Sequence, residues 1–257
     1  FGQKLLFART MARTPGRGGA LLLFTTLFSA RCPTGASRYL AESGPVQWVP
    51  GGSAPHQQLE TGEARVLIIG DVHGCYEELE DLLQRCDYDK GKGDVVILIG
   101  DLVNKGPRSA DVLKLAVSEG FHAVLGNHDV MFIHQWDEYK MSGNIPPADM
   151  HGSYEWFKHL SDEHVAWLRG RPLTLELMDH SNAIAVHAGM VPGVPLTEQR
   201  KEDLYEIRDL KEVSGKWQVV QASKGEPWAK VWSDLGVWGC SALAPFVYFG
   251  HDAPRGL

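Results

Sequence analysis

The chain has 257 residues, of which 44% are hydrophobic and 22% are charged, and this composition predicts a globular protein with one main core. Its first 41 residues carry six basic and no acidic side chains, whereas the remainder carries 19 basic and 32 acidic ones. This acidic body excludes a broad basic face for nucleic acid, so any phosphate compound must be attracted locally. The four cysteines lack zinc-finger spacing.

Residues 1–62 are predicted to be a disordered targeting segment and linker. Arginines precede an apolar stretch at residues 20–30, which is shorter than the roughly 20 residues of a membrane-spanning helix, so we expect no transmembrane span. The pattern is typical of a secretory signal with Thr34-Gly35-Ala36 as its cleavage site, of an organelle transit peptide, or of a plain disordered extension. In the last case the protein would be cytoplasmic. Residues 42–62, rich in Gly, Pro, Ser and Gln, are predicted to be the linker.

Residues 63–257 are predicted to form one α/β domain. Two continuous apolar runs end in glycine, at residues 66–69 and 95–99, and predict buried parallel strands. A third strand is predicted at residues 122–125. Helices are predicted at residues 76–86, 109–117, 131–141 and 154–160 and from residue 161 to 168. Later strands are predicted at residues 173–177, 183–186 and 247–249, and residues 193–240 are predicted to be irregular.

Polar side chains follow these strands in five short motifs that are rich in glycine. Because the carboxyl ends of parallel strands meet at one edge of a sheet, we expect those side chains to lie close together. Carboxylate, amide and imidazole groups suit Mn, Fe or Zn, with manganese the leading candidate. The candidate metal ligands are Asp71, His73, Asp101, Asn127, His187 and His251.

A pair of metal ions about 4 Å apart can activate water and bind phosphoryl oxygens. His128 follows a candidate ligand and is the candidate proton donor to the leaving oxygen. Lys105 and Arg208 are candidate donors to phosphate oxygens, Arg208 with a surface ion pair as the alternative. The other histidines, His151 among them, fit no ligand spacing and are predicted to have surface or core roles. Trp228 and Trp232 are predicted to share a helix face in core packing, with stacking on a nucleobase as the alternative.

The motif series resembles that of the calcineurin-like metallophosphoesterases, in the phosphoprotein-phosphatase branch. The motifs are Gly70-Asp71-Val72-His73-Gly74, Gly100-Asp101, Gly126-Asn127-His128-Asp129, His187-Ala188-Gly189 and Gly250-His251-Asp252. Asn104-Lys105-Gly106-Pro107 makes the series most similar to the ApaH-like phosphatases, relatives of diadenosine tetraphosphate hydrolase. In protein phosphatases the position of Asn104 holds an Asp that orients the catalytic histidine.

This resemblance implies a four-layer α/β/β/α sandwich of two mixed sheets. One metal would be bound by the first three candidate ligands, and Asp101 would bridge to a second metal bound by Asn127, His187 and His251. His128 would be the proton donor. Family members continue beyond the last motif with further strands, so we expect the chain to be truncated at its C-terminus.

The leading interpretation is a dinuclear-metal phosphoesterase of the ApaH-like type, which hydrolyses phosphoanhydride or phosphomonoester bonds. Its substrate would be a phosphate-containing small molecule, such as a dinucleoside polyphosphate or polyphosphate, or a capped RNA 5′ end, and the protein would be a monomer. The alternatives are a serine/threonine protein phosphatase and an inactive scaffold or fragment that keeps the fold. The Lys105-Gly106-Pro107 loop and His187-Ala188-Gly189 disfavour the protein phosphatase.

Overall fold

A computed structural model describes residues 10–12, 21–24, 55–236 and 246–252. The predicted cleavage site at Thr34-Gly35-Ala36 lies outside these residues, as does the segment that follows the last motif. Within the described residues, none of the helices combines the length and the apolar character that a membrane crossing requires.

The strands of the described residues, in chain order, are β1 (Thr10–Ala12), β2 (Leu21–Phe24), β3 (His56–Leu59), β4 (Val66–Ile69), β5 (Val95–Leu98), β6 (His122–Ala123), β7 (Thr174–Leu177), β8 (Ala183–Val186), β9 (Asp209–Val213), β10 (Lys216–Val220), β11 (Glu226–Pro227) and β12 (Val247–Tyr248). The helices are α1 (Tyr76–Arg85), α2 (Ser109–Glu119), α3 (Asn127–Ser142), α4 (Asp162–Arg169), α5 (Lys201–Glu206) and α6 (Trp228–Gly236). Short 3-10 helices lie at Lys90–Lys92, Glu155–His159 and Leu196–Glu198.

The first sheet has the strand order β1-β2-β4-β5-β6, in which every pair is parallel except β1 with β2. Helices α1 and α2 connect its parallel strands β4, β5 and β6. These strands therefore end at one edge of the sheet, as the sequence predicts, and they deliver their following loops to that edge.

The second sheet has the order β12-β8-β7-β3 and is also mixed, because β7 is antiparallel to β8 while the outer pairs are parallel. Strand β3 corrects the linker prediction. Residues 56–59 pair with β7 over their whole length, so this part of the predicted linker belongs to the domain. Strands β1 and β2 also lie within residues 1–62 and pair in the first sheet, so their residues differ from the predicted disorder. The predicted targeting role of this segment stays a prediction.

The two sheets pack face to face. Alternate residues of β4 point in opposite directions, and Val66 and Ile68 lie in a core cluster with Leu175 and Leu177 of the second sheet. The other face of β4, with Leu67 and Ile69, packs in the cluster that contains the buried side chains of α1 and α2. This layering confirms the predicted α/β class with two mixed sheets.

A third, small sheet was not predicted. Residues 193–240, predicted to be irregular, contain the antiparallel order β10-β9-β11 and helices α5 and α6. The hairpin was missed because most residues of β9 and β10 are exposed or half-buried, so the strands carry no clear apolar pattern. Helix α6 packs its buried Trp228 and Val231 in a cluster with Leu210 of β9.

Candidate metal centre

The loops after β4 and β5 are fixed to each other by backbone hydrogen bonds. Val72 and His73 both donate their N–H groups to the carbonyl of Asp101, at 3.1 and 2.7 Å, and Gly74 donates to the carbonyl of Leu102 at 2.9 Å. The side chains of His73 and Asp101 are buried next to each other, with Nε2 of His73 3.3 Å from Oδ2 of Asp101. Two of the strand-end motifs therefore form one rigid unit.

The third motif brings the N-terminus of α3 against the same aspartate. The helix begins at Asn127, and the N–H of His128 donates to Oδ1 of Asp101 at 2.9 Å. A Cβ atom on Gly126 would lie 2.3 Å from both the backbone nitrogen and Oδ1 of Asp101, so only glycine permits this close approach. The helix terminus also favours the negative charge that it contacts.

Asp129 stabilises the contact between the loop after β5 and the start of α3. Its carboxylate accepts hydrogen bonds from the backbone N–H groups of Leu102 and Gly126, each at 2.9 Å, and thereby ties the loop after β5 to the start of α3. The side chain is fully buried, and burial together with the nearby charge of Asp101 raises the pKa of Asp129 to about 7. Asp129 is thus a helix cap that also braces the ligand loops.

The second sheet contributes His187, which follows β8. Its Nδ1 donates to the carbonyl of Ile99 at 2.8 Å, so Nε2 is presented to the site. This Nε2 lies 3.2 Å from Oδ1 of Asn127, 3.1 Å from Nδ1 of His251 and 3.4 Å from Oδ1 of Asp101. Side chains from both sheets therefore converge on one point.

The loop after β12 completes the convergence. Gly250 donates its N–H to the carbonyl of His187 at 2.9 Å, and His251 donates its N–H to Oδ1 of Asp71 at 2.9 Å. A Cβ atom on Gly250 would lie 2.2 Å from the same Asp71 oxygen. Nδ1 of His251, which lies 3.1 Å from Nε2 of His187, is the ring nitrogen that faces the other candidate ligands.

Asp101 belongs to two groups of potential ligand atoms. One group contains His73 and His128, the other contains His187 and His251, and within each group the ligand atoms lie within 4.8 Å of one another. Burial acts to raise the pKa of Asp101, but the surrounding imidazoles outweigh it and lower the pKa well below its usual value. The carboxylate is therefore ionised and placed to serve two cations.

The donor set fits a pair of metal ions. His73, like His187, hydrogen-bonds one ring nitrogen to a backbone carbonyl, here Val103 at 3.1 Å from Nδ1, and presents the other to the site. Asp71 lies beside both groups. Its Oδ2 is 3.8 Å from Nε2 of His73, and its Oδ1 is 3.9 Å from Nδ1 of His187. The structure thus brings all six predicted ligands together, and their assignment as ligands stays a prediction.

The two predicted phosphate-binding residues, Lys105 and Arg208, differ in their distance from the candidate ligands. Lys105 reaches into the site, with Nζ 2.7 Å from Nε2 of His73. Arg208 lies at the edge, where Nη1 pairs with Asp252 at 2.7 Å and Nη2 contacts the carbonyl of His251 at 3.4 Å. The ion pair that the sequence analysis gave as the alternative for Arg208 is therefore present, and it holds the loop that carries a candidate ligand.

His128 is 6% exposed, and its burial lowers its pKa well below the usual value. Its ring makes one weak hydrogen bond in the described part of the chain, between Nδ1 and Nδ2 of Asn104 at 3.4 Å. The same amide nitrogen lies 3.4 Å from the carbonyl of His128, and Oδ1 of Asn104 is buried and has no hydrogen-bond partner among the residues that the structure describes. Asn104 therefore restrains this ring only loosely.

His151 was missed as a site residue. Its ring packs edge-to-face against the ring of His128, with centroids 4.8 Å apart and planes at 80°. Sequence spacing gives no signal for this contact, since His151 lies in a polar segment between two helices.

Trp228 is 2% exposed and packs on Gly189 and Phe249, in agreement with the predicted core role.

Comparison with known proteins agrees with this geometry. The family described as calcineurin-like phosphoesterase matches residues 64–252, which include the six predicted ligands. The chain belongs to this family. Calcineurin-like phosphoesterases use a dinuclear divalent metal site, and the two ligand groups around Asp101 are the candidates for it in this member of the family.

Named relatives place the chain within the family. A symmetrical bis(5′-nucleosyl)-tetraphosphatase of Enterobacter sp. (strain 638) is 40% identical over 127 residues, which are 49% of this chain and 43% of that protein. The protein of the same name from Proteus mirabilis (strain HI4320) is 37% identical over 136 residues, 52% of this chain and 48% of its own. The chain thus spans about half the length of these relatives.

A solved structure is similar to a larger part of the chain than these two relatives are. It is the crystal structure of a candidate diadenosine tetraphosphatase, which is 30% identical, covers 79% of this chain and 81% of its own, and superposes with a TM-score of 0.64. The similarity supports the predicted ApaH-like resemblance within the calcineurin-like phosphoesterases.

Proposed function

We propose that the chain hydrolyses phosphoanhydride bonds of dinucleoside tetraphosphates, with two divalent metal ions of which manganese is the leading candidate. The observation that carries this proposal is the position of Asp101 in both ligand groups. A single buried, ionised carboxylate between two sets of imidazoles is suited to hold a pair of adjacent cations, in addition to its hydrogen bond with the N-terminus of α3. The relatives that carry the tetraphosphatase name support the substrate class.

The six ligands would hold the metal ions, with Asp101 between them. When bound, the ions supply Lewis-acid activation of the phosphoryl group and of water. The protein's own contribution is to hold the ligands rigidly through the cross-bonded loops, and to place His128 and Lys105 beside them.

His128 would donate a proton to the oxygen that leaves phosphorus. Its backbone N–H is fixed on Asp101, so the imidazole is anchored at its base within the site. Lys105 and a metal ion would compete for the single lone pair on Nε2 of His73. If a metal ion held that nitrogen, the ammonium of Lys105 would be free to donate to a phosphoryl oxygen of the substrate.

The test is hydrolysis by the purified chain with Mn²⁺, using diadenosine tetraphosphate, a capped RNA and a phosphoserine peptide as separate substrates. We expect symmetrical cleavage of the first to two molecules of ADP, and loss of this activity on treatment with EDTA. His128→Ala should reduce turnover by about 100-fold or more. His159→Ala changes an exposed histidine outside the site and is the matched control.

Preferential turnover of the phosphopeptide would instead support the protein phosphatase, and preferential turnover of capped RNA would change the substrate class. A metal-loaded chain that hydrolyses none of the three would contradict the proposed function. Equal turnover by the wild type and His128→Ala would remove His128 as the proton donor.

A further inference from the structure

His151 lies in a turn that the structure holds firmly. Asp149 and Gly152 exchange backbone hydrogen bonds, each of 3.1 Å, and Oδ1 of Asp149 accepts the N–H of His151 at 2.7 Å. The hydroxyl of Tyr154, which is 1% exposed, donates to the same carboxylate. The position of the His151 backbone is therefore fixed by several independent bonds.

The turn is also fixed to the site. The carbonyl of His151 accepts the N–H of Lys105 at 2.8 Å, so the backbone of the turn is bonded to the loop that follows Asp101. The ring of His151 then extends over His128. His128 also contacts the ring of His73 edge-to-face, with centroids 4.9 Å apart and planes at 87°. The ring of His128 is therefore in contact with two other imidazoles.

This packing matters because the hydrogen bonding of the His128 ring is weak. The 3.4 Å contact with the amide of Asn104 is at the long limit of a hydrogen bond and carries no charge assistance. A buried imidazole with such a partner can change its orientation unless its neighbours restrain it. The rings of His73 and His151 are the neighbours that restrain it.

We propose that His151 is a positioning residue for His128, and this proposal rests on the function proposed above. Its ring holds the imidazole of His128 at the orientation in which a ring nitrogen faces the leaving oxygen. Edge-to-face packing thereby takes the orienting role for which Asn104 is poorly suited. His151 acts through His128, and it does so by the shape of its ring.

The decisive experiment compares His151→Ala with His151→Phe, which keeps an aromatic ring, and with His159→Ala as the control. With Mn²⁺ and diadenosine tetraphosphate, we expect His151→Ala to lower kcat roughly tenfold with little change in KM, because orientation is lost and binding is not. His151→Phe should restore kcat to within about threefold of the wild type. Bound metal should be unchanged in all three variants.

A double-mutant cycle shows whether His151 acts through His128. In the His128→Ala background, adding His151→Ala should cost no further activity, because the ring that it positions is absent. A full tenfold loss in that background would show that His151 acts independently, and the proposal would be wrong. It would also be wrong if His151→Ala had wild-type kcat, or if His151→Phe were as impaired as His151→Ala.

A readout without turnover separates this proposal from the proposed function. In ¹⁵N spectra of the imidazole nitrogens of the protein loaded with diamagnetic Zn²⁺, His151→Ala should shift or broaden the His128 resonances, and His159→Ala should leave them unchanged. Unchanged His128 resonances in His151→Ala would contradict the positioning role even in an active enzyme. Changed resonances in a protein that hydrolyses no phosphate compound would support the positioning role and contradict only the proposed function.

Discussion

The two sheets contribute to the candidate metal centre in different ways. The first sheet supplies Asp71, His73, Asp101 and Asn127 from neighbouring parallel strands whose loops are bonded directly to one another. The second sheet supplies His187 and His251, whose loops reach the first sheet through the Ile99 carbonyl and the Asp71 carboxylate.

The four ligands of the first sheet, called here the first half of the site, are therefore organised by contacts between neighbouring loops. The two ligands of the second sheet, called the second half, are organised by packing between the sheets. In the first half, backbone hydrogen bonds join the loops after β4 and β5, and the carboxylates of Asp101 and Asp129 join the start of α3 to them. In the second half, a few long-range hydrogen bonds and the contact of Arg208 with the His251 loop maintain the geometry. We therefore expect the two halves to respond differently to substitution.

The largest effect should come from the residue that joins the two halves. Asp101→Asn removes the charge shared by both ligand groups, so we expect loss of both bound ions and a fall in turnover of more than about 1000-fold. Metal analysis and a phosphate-release assay measure these effects. Asp111→Asn, a partly exposed aspartate on α2, is the control. Retention of two tightly bound ions by Asp101→Asn would contradict the bridging position.

Substitution of one ligand from each sheet tests whether the two ligand groups bind their metal ions independently. His73→Ala and His251→Ala each remove one imidazole from a different ligand group, so each should lower the metal content from about two ions to about one. We expect turnover to fall about 100-fold in both. Loss of both ions in one variant would show that the two groups do not bind independently.

Gly250→Ala should damage the second half specifically. The added Cβ would meet the Asp71 carboxylate, so the loop must move away from the first sheet, at a cost of roughly 1–3 kcal/mol. We expect a tenfold loss of turnover and a lower midpoint of thermal unfolding. Gly193→Ala, where the backbone is left-handed but nothing lies near the Cβ position, should lower the midpoint without loss of turnover. Equal turnover in both variants would contradict the close approach at Gly250.

A smaller effect is expected from the ion pair at the edge of the second half. Arg208→Ala and Asp252→Asn should each lower turnover several-fold, because each breaks the bond that supports the His251 loop. In the double variant, the loss should be less than the product of the single losses, with a coupling of about 1 kcal/mol. Losses that multiply would indicate that Arg208 acts directly on phosphate, as the sequence analysis predicts.

The smallest effect should occur on the exposed surface of α6. Lys230 of this helix is exposed and pairs with Glu226 of β11 and Asp234 of α6 at 3.2 and 2.7 Å. Such exposed pairs contribute little, because water and salt screen them. Lys230→Ala should therefore leave turnover, metal content and the unfolding midpoint unchanged. A measurable change in turnover would show that α6 is coupled to the site.

The first half of the site was predictable because its signals are local. Continuous apolar runs that end in glycine identify β4 and β5, and each ligand motif directly follows such a run. The helix containing His128 begins earlier than predicted, at Asn127, since its first turn carries the polar motif residues that obscure the helical pattern. In contrast, β3 and the hairpin β9–β10 were not predicted, because most of their residues are exposed or half-buried and give no continuous apolar run.

The sequence by itself determined the fold class and the six candidate ligands, because strand burial and motif order are properties of neighbouring residues. The tertiary structure places Asp101 between two ligand groups, as the motifs predict, and it alone shows that Arg208 pairs with Asp252 and that His151 packs on His128. These contacts join residues that are 23 to 150 positions apart in the sequence. Contacts over such separations are set by how loops and sheets pack, and no periodicity along the chain encodes them.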